Sequence, residues 1–218
     1  MSPARARTSR AAIIAAARDL LEDGGLETVS MTGIAERVGI KAPSLYKHFS
    51  DRNGLLAAVA TDVALDLGRA LAGAVERSRA DPTARLYALA AAYRSLALAT
   101  PRAAALLFAG VAPDAAPTPE SQALAARPIL DVAEMIVGPA RALAGARVLT
   151  AFAFGFTSME SAGAFRFGGD VEEAYQFGVS VLLAGLGEGG SDHRTRVRRR
   201  VTQGQSGIRR PGHPPKGP

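Results

Sequence analysis

The residues best placed to do chemistry stand in one stretch, GIKAPSLYKHFSDRNGLL, residues 39–56, where Tyr46, Lys47 and His48 follow one another. A phenol, an ammonium and an imidazole are all donors for phosphate oxygens, and an ammonium also reaches the acceptor atoms on the edge of a guanine. The other options for such groups are catalysis and metal binding, and neither finds support. The chain has no cysteine and only three histidines: His48, and His193 and His213 near the C-terminus. Residues 53–187 therefore hold no histidine, no cysteine and no HExxH spacing, so no metal ligand set is expected there. Glu160, near Ser158 and Ser161 in an apolar segment, reads as a hydrogen-bonded core or pocket carboxylate rather than a general base. No glycine-rich phosphate loop follows a strand, and GLGEGG after residue 184 reads as a helix end. No enzyme activity and no cofactor are expected.

The elements that must present Tyr46, Lys47 and His48 are short. Gly39 ends one helix and Pro43 suits the first turn of the next, where its missing N–H costs nothing. Leu45 and Phe49 lie four apart and face inward, so Tyr46, Lys47 and His48 cannot all join them. Before this pair, RAAIIAAARDLLED places Ile13, Ile14, Ala17, Leu20 and Leu21 on one stripe of an amphipathic helix. Thr8 or Ser9 can cap it, and Gly24-Gly25 supplies its exit. Ser30 precedes MTGIAERV, with Ile34, Ala35 and Val38 on one face. Two short helices joined by a glycine-containing turn describe a helix-turn-helix at about 30–49, whose second helix lies in a DNA major groove. Lys41, Ser44, Tyr46, Lys47 and His48 then form an exposed polar face because the partner is DNA. A longer helix is expected from near Arg52 to about Arg79.

Charge must be located before it is used. The chain carries a net charge of +6 and a pI near 10.3, but residues 189–218 alone hold seven Arg and one Lys against one Asp. Residues 1–188 are close to neutral, so global basicity is no argument for nucleic acid. The C-terminal stretch, 188–218, poor in apolar residues and rich in Arg, Gly and Pro, is expected to be a disordered basic tail, either a non-specific DNA-binding arm or an incidental extension. Apolar residues make up 48% of the chain, ample for a substantial core. No run of 18 uncharged apolar residues occurs, so no membrane span is expected.

The remainder reads as helices only. DPTARLYALAAAYRSLALAT is one, opened by Asp81-Pro82 and closed by Pro101; RAAALLFAG is a short second. VAPDAAPTPES is a proline-rich loop, and SQALAARPILDVAEMIVGPA is a helix interrupted or kinked at Pro128. GARVLTAFAFGFTSMESAGAF and VEEAYQFGVSVLLAGL form a last pair, apolar nearly all round. Such helices need burial on every side, which in a chain of this size points to a subunit interface. Small residues including Gly155 and Gly163 allow close approach, and Val179, Leu182 and Leu183 supply bulk.

Residues 8–56 resemble the N-terminal domain of the TetR family of bacterial transcriptional regulators. The likeness is carried by the first amphipathic helix, EDGGLETVSM, IAERVGI and APSLYKHFSDRNGLL. It implies that Ser30 caps the second helix, that Thr32 faces phosphates or the groove edge, and that Ala42, Pro43, Tyr46, Lys47 and His48 make the main groove and backbone contacts. Arg52 stands where the family usually has a lysine that touches a phosphate. Two positions depart from the pattern. Gly33 replaces the acidic residue that often completes a capping box, and Lys41 replaces a small capping residue. FGFTSMESAGAFRFG resembles the C-terminal domain of the WHG-type subgroup, its Trp-His-Gly standing here as Ala153-Phe154-Gly155.

The resemblance implies an all-α protein: a helix-turn-helix DNA-binding domain over 7–67, then a helical ligand-binding and dimerisation domain over 68–187. It implies a cytoplasmic repressor that binds a near-palindromic double-stranded operator as a homodimer through its last two helices. A small effector is held in the helical domain. With few polar groups there the effector is expected to be mainly apolar, lined by candidates among Tyr93, Leu107, Phe108, Phe152, Phe156, Met159 and Glu160. The alternative is a helical small-molecule-binding protein whose helix-turn-helix no longer reads DNA.

Overall fold

The computed structural model describes residues 9–108 and 113–187, and the described residues contain helices and no strand. In order these are α1 (Arg10–Gly24), α2 (Met31–Val38), α3 (Ala42–Leu45), α4 (Arg52–Arg77), α5 (Pro82–Ala99), α6 (Pro101–Leu106), α7 (Pro119–Val137), α8 (Ala142–Ser161) and α9, residues 171–187.

The helix ends follow from local chemistry. Ser9 Oγ accepts from the Ala12 N–H at 3.1 Å, Ser30 Oγ from Gly33 at 3.1 Å, and Asp51 and Asp81 from Gly54 and Ala84 at 2.8 and 2.9 Å. Each such cap satisfies an otherwise orphaned amide and contributes about 1 kcal/mol. Gly39 closes α2 in the left-handed conformation, φ 70°, where a β-carbon would be strained.

Two hydrophobic clusters share one long helix. The first gathers Ile13, Leu21, Val29, Ile34, Leu45 and Phe49 around the start of α4, where Leu55, Val59 and Val63 are buried. The second gathers Leu86, Leu89, Tyr93, Val132, Tyr175 and Val179 around the later turns of α4, through Leu67 and Leu71. The handover between Val63 and Leu67 lies close to the domain limit expected at 67/68, but no linker marks it. α6 also straddles the two, with Ala103 and Leu106 in the first cluster and Ala104 in the second.

Two expectations need correction. α3 is only four residues long. Tyr46 ends it, and Tyr46, Lys47 and His48 form the turn that follows, because Lys41 provides no side-chain cap and both His48 and Phe49 hydrogen-bond back to the Leu45 carbonyl. Pro101 opens α6, and Thr100 is the residue that ends α5. Of the two alternatives expected at Pro128, an interruption does not occur: α7 runs from Pro119 through it to Val137, and the Leu124 carbonyl gives up its helical partner there. Pro139–Ser161 is long and apolar enough to cross a membrane, but by length and composition alone, a test that a core helix also passes. It includes Arg141, Arg147 and Glu160, and its inner face packs on α7 and α5. The basic tail, 188–218, lies outside the described residues.

Candidate nucleic-acid interface and effector pocket

Two buried residues anchor the first site. Leu45 is fully buried and Phe49 nearly so, which fixes the backbone between them and leaves Tyr46, Lys47 and His48 on the outside. Tyr46 is 53% exposed, an unusual state for a large aromatic with no partner to cover it. Thr32, Lys41 and Pro43 are also exposed, while Ala42 and Ser44 are half-buried. The Ser30 cap fixes the first turn of α2, on which Thr32 stands exposed. Hydroxyl, ammonium and imidazole donors thus stand exposed on a segment anchored by Leu45 and Phe49 in the first hydrophobic cluster.

Arg52 has a different position from the one expected. Its Nε donates to the Val29 carbonyl at 2.7 Å and its Nη2 to the Leu26 carbonyl at 2.6 Å. The guanidinium is folded inward, where it ties the turn before α2 to the start of α4 and satisfies two loop carbonyls. Arg18 performs a similar task between α1 and α4, with Asp62 at 2.6 Å and Asp66 at 2.5 Å. Although burial opposes it, hydrogen bonding to Arg18 and Arg69 holds the Asp66 carboxyl below the usual carboxylate range.

The second site is a small cavity of about 40 Å³ among α4, α5, α7, α8 and α9, walled by Leu71, Leu89, Tyr93, Phe152, Tyr175 and Leu182 among others. Of the seven expected effector residues, Tyr93 and Phe152 line it. Leu107 and Phe108 line a separate cleft with Ala64 and Gln122. Phe156 packs on Phe152, Phe165 and Tyr175, Met159 is exposed, and Glu160 is engaged in an ion pair. The small size of the cavity follows from close helix packing: a β-carbon on Gly178 would come within 2.3 Å of the Phe152 ring.

Polar groups at the cavity wall are few and unevenly satisfied. The Tyr175 hydroxyl donates to the Ala90 carbonyl at 3.0 Å. The Tyr93 hydroxyl is buried with no partner at hydrogen-bonding geometry among the described residues. Burial pushes the Tyr93 phenol up to about 12; the neighbouring Thr157 hydroxyl pulls the other way but already donates to the Ala153 carbonyl at 2.8 Å. Burial raises Tyr175 as well. Beside Tyr175, Arg94 binds Glu160 through two hydrogen bonds, 2.9 and 2.5 Å, reaches Glu172, and lies 5.5 Å from the Tyr175 ring centre.

The expected interface residues divide. Gly155 has open space above it and lies on an outward stripe of α8 with Val148 and Met159, while Phe177 and Val181 form the matching stripe of α9. Val179 is buried inside the single chain, so its side chain is core rather than interface; it shares the inner stripe of α9 with Tyr175. Leu182 lines the cavity, Leu183 is half-buried on the same cluster, and Gly163 lies past the end of α8 in a left-handed turn, φ 64°.

Sequence reading missed Glu22, Arg94, Arg102 and Tyr175. The first three act across 66 to 81 positions of sequence, where no periodicity links them. Tyr175 had a signal, its spacing of four from Val179, which marks it as inward.

Fold and site together define a helix-turn-helix protein with a helical companion lobe built around a small cavity. The family model described as "Bacterial regulatory proteins, tetR family" matches residues 13–59, and "Tetracyclin repressor-like, C-terminal domain" matches residues 86–182. The chain belongs to the TetR family of regulators. Over 54 residues it is 41% identical to the class C tetracycline repressor protein of Escherichia coli, an alignment that spans 25% of each chain. A structure of a protein with unknown function from Rhodococcus sp. RHA1 aligns over 82% of this chain and 95% of its own, with a TM-score of 0.70 and 29% identity. A possible TetR family transcriptional regulator from Streptomyces coelicolor A3(2) aligns over 82% and 98%, with a TM-score of 0.64 and 26% identity. BioQ with its double-stranded DNA operator aligns over 82% and 98%, at a TM-score of 0.60 and 22% identity, a likeness of fold.

Proposed function

We infer that this chain is a transcriptional repressor that binds a near-palindromic DNA operator as a homodimer and releases it when a small, mainly apolar molecule enters the helical lobe. The observation that carries the reading is the exposed run Tyr46-Lys47-His48, held in place by the buried Leu45 and Phe49. The operator-bound BioQ supports it by fold, and the tetracycline repressor by identity within the same N-terminal region. On this reading Thr32, Lys41, Ala42, Pro43 and Ser44 flank the contact, and Arg52 supports it from behind.

The outward apolar stripes of α8 and α9 (Val148, Gly155, Met159, Phe177, Val181) favour a second copy as their cover, with its recognition unit on a successive major groove. The same cover accounts for the membrane-like composition of α8 in a cytoplasmic protein. The apolar walls of the cavity favour an apolar effector, and a volume of about 40 Å³ means that the ligand must spread the helices to enter. That spreading supplies the differential affinity that linkage requires: the effector favours the DNA-incompetent arrangement, and DNA disfavours the effector by the same factor. Fluorescence anisotropy on an operator fragment, titrated with hydrophobic compounds, tests it. Release of DNA by at least one such compound is expected; release only by strongly ionic metabolites would contradict it.

A further inference from the structure

We propose that the groove on the outer face of α4, α5 and α7 is a second small-molecule site, separate from the inner cavity, that takes an amphipathic carboxylate with its head on Arg85. The groove measures about 440 Å³, within the range of ligand sites. Its floor is apolar, from Leu65, Ala72 and Val75 on α4 and Leu124, Pro128 and Val132 on α7. Two sequence features shape it. Gly68 lets α4 lie against the α7 backbone, where a β-carbon would meet the Leu124 carbonyl oxygen at 3.0 Å, and Pro128 stands on the facing turn.

The charges select the occupant. Five charged residues line the groove: Arg69, Arg85, Arg127, Glu76 and Asp131. Arg69 is paired with Asp66 at 2.6 Å and Arg127 with Asp131 at 2.9 Å. Arg85 has no carboxylate within ion-pairing distance among the described residues. Its Nη1 reaches only the Met135 sulfur, at 3.3 Å, and its Nε is buried with no partner. A guanidinium that no carboxylate neutralises, lining an apolar trough, is complementary to a carboxylate on a hydrocarbon chain. The inner cavity offers no such cation.

Isothermal titration of the full chain without DNA, using decanoate below its micellar concentration and decanol as the uncharged match, tests the proposal. Decanoate binds and decanol binds at least tenfold more weakly. Arg85→Met weakens decanoate at least tenfold and erases the preference, Arg85→Lys retains much of it, and Phe152→Leu in the inner cavity leaves it unchanged. Circular dichroism confirms the fold of each variant. No binding of decanoate, equal binding of decanol, or a loss that follows Phe152 and not Arg85 overturns the proposal. Because no DNA is present, these outcomes are independent of whether the chain acts as a repressor.

Discussion

Glu22 and Arg102 cap each other's helices. The Glu22 carboxylate accepts from the Ala103 N–H at 2.6 Å and the Arg102 N–H at 3.3 Å, at the start of α6. In return the Arg102 guanidinium donates to the Glu22 carbonyl oxygen in the last turn of α1. A negative group thus meets the positive end of one helix and a positive group the negative end of the other, a favourable arrangement on both sides. The pair also forms one wall of a cleft that includes Tyr93, Thr157, Ser158 and Ser161, so it links the recognition lobe to the helical lobe beside a ligand-lobe residue.

Loss of that reciprocal cap should be felt in stability. Glu22→Ala leaves two α6 amides without their acceptor and lowers the free energy of unfolding by about 1–2 kcal/mol, read as a shift in urea midpoint. Glu22→Gln retains an acceptor oxygen and loses less. An unchanged midpoint in Glu22→Ala would mean that the cap contributes nothing.

Tyr93 makes stability sensitive to alkali. Its phenol, at about 12 in the folded chain against 10.0 when free, stays protonated in the fold while the unfolded chain ionises. The unfolded state therefore binds fewer protons between these values, and stability falls as pH rises from about 10 to 12, by about 1.4 kcal/mol per unit at most from this residue. Below pH 10 the contribution is complete. Tyr93→Phe should flatten the fall in thermal melts over that range while changing stability at pH 7 by less than about 1 kcal/mol, since the hydroxyl has no partner to lose.

Arg94 and Glu160 are 15% and 17% exposed, and Glu172 reaches the same guanidinium from α9. Glu160→Leu leaves a half-buried cation with one exposed partner and should cost about 1–3 kcal/mol in chemical denaturation. The double change with Arg94→Leu should recover part of that loss, because no unpaired charge remains.

Lys47 and Arg52 should separate cleanly. Lys47→Ala removes an exposed phosphate donor: DNA affinity falls, the slope of log affinity against log salt drops by about 1, and stability hardly moves. Arg52→Ala strips two carbonyls of their donors, and its first effect is a lower melting temperature, by about 1–3 kcal/mol of stability. If Arg52→Ala changed the salt slope without changing stability, its inward placement would not describe the protein in solution.

What the sequence made legible was local. Ser9, Ser30 and Pro43 sit in the caps and first turns assigned to them, and Leu45 and Phe49 face inward as expected, although Phe49 does so from beyond the turn that follows α3 rather than from the helix itself. The last two helices were legible as apolar, but not which of their faces belongs to the chain's own core: Val179 and Phe177 are two positions apart on α9, one buried and one 69% exposed. Arg52 shows the same limit. A basic side chain at a helix start carries no mark of whether a phosphate or a pair of loop carbonyls will take its donors. The Glu22–Arg102 pair and the Arg94 cluster depend on helix crossing geometry, which residue type and spacing do not encode.

The most direct measurement is selection of genomic DNA fragments by the purified protein, run beside a variant with Tyr46, Lys47 and His48 changed to alanine. The account predicts that the unaltered protein recovers one near-palindromic site and that the variant, folded to the same extent by circular dichroism, does not. Salt-sensitive binding without a shared motif, equal in both proteins, would contradict it.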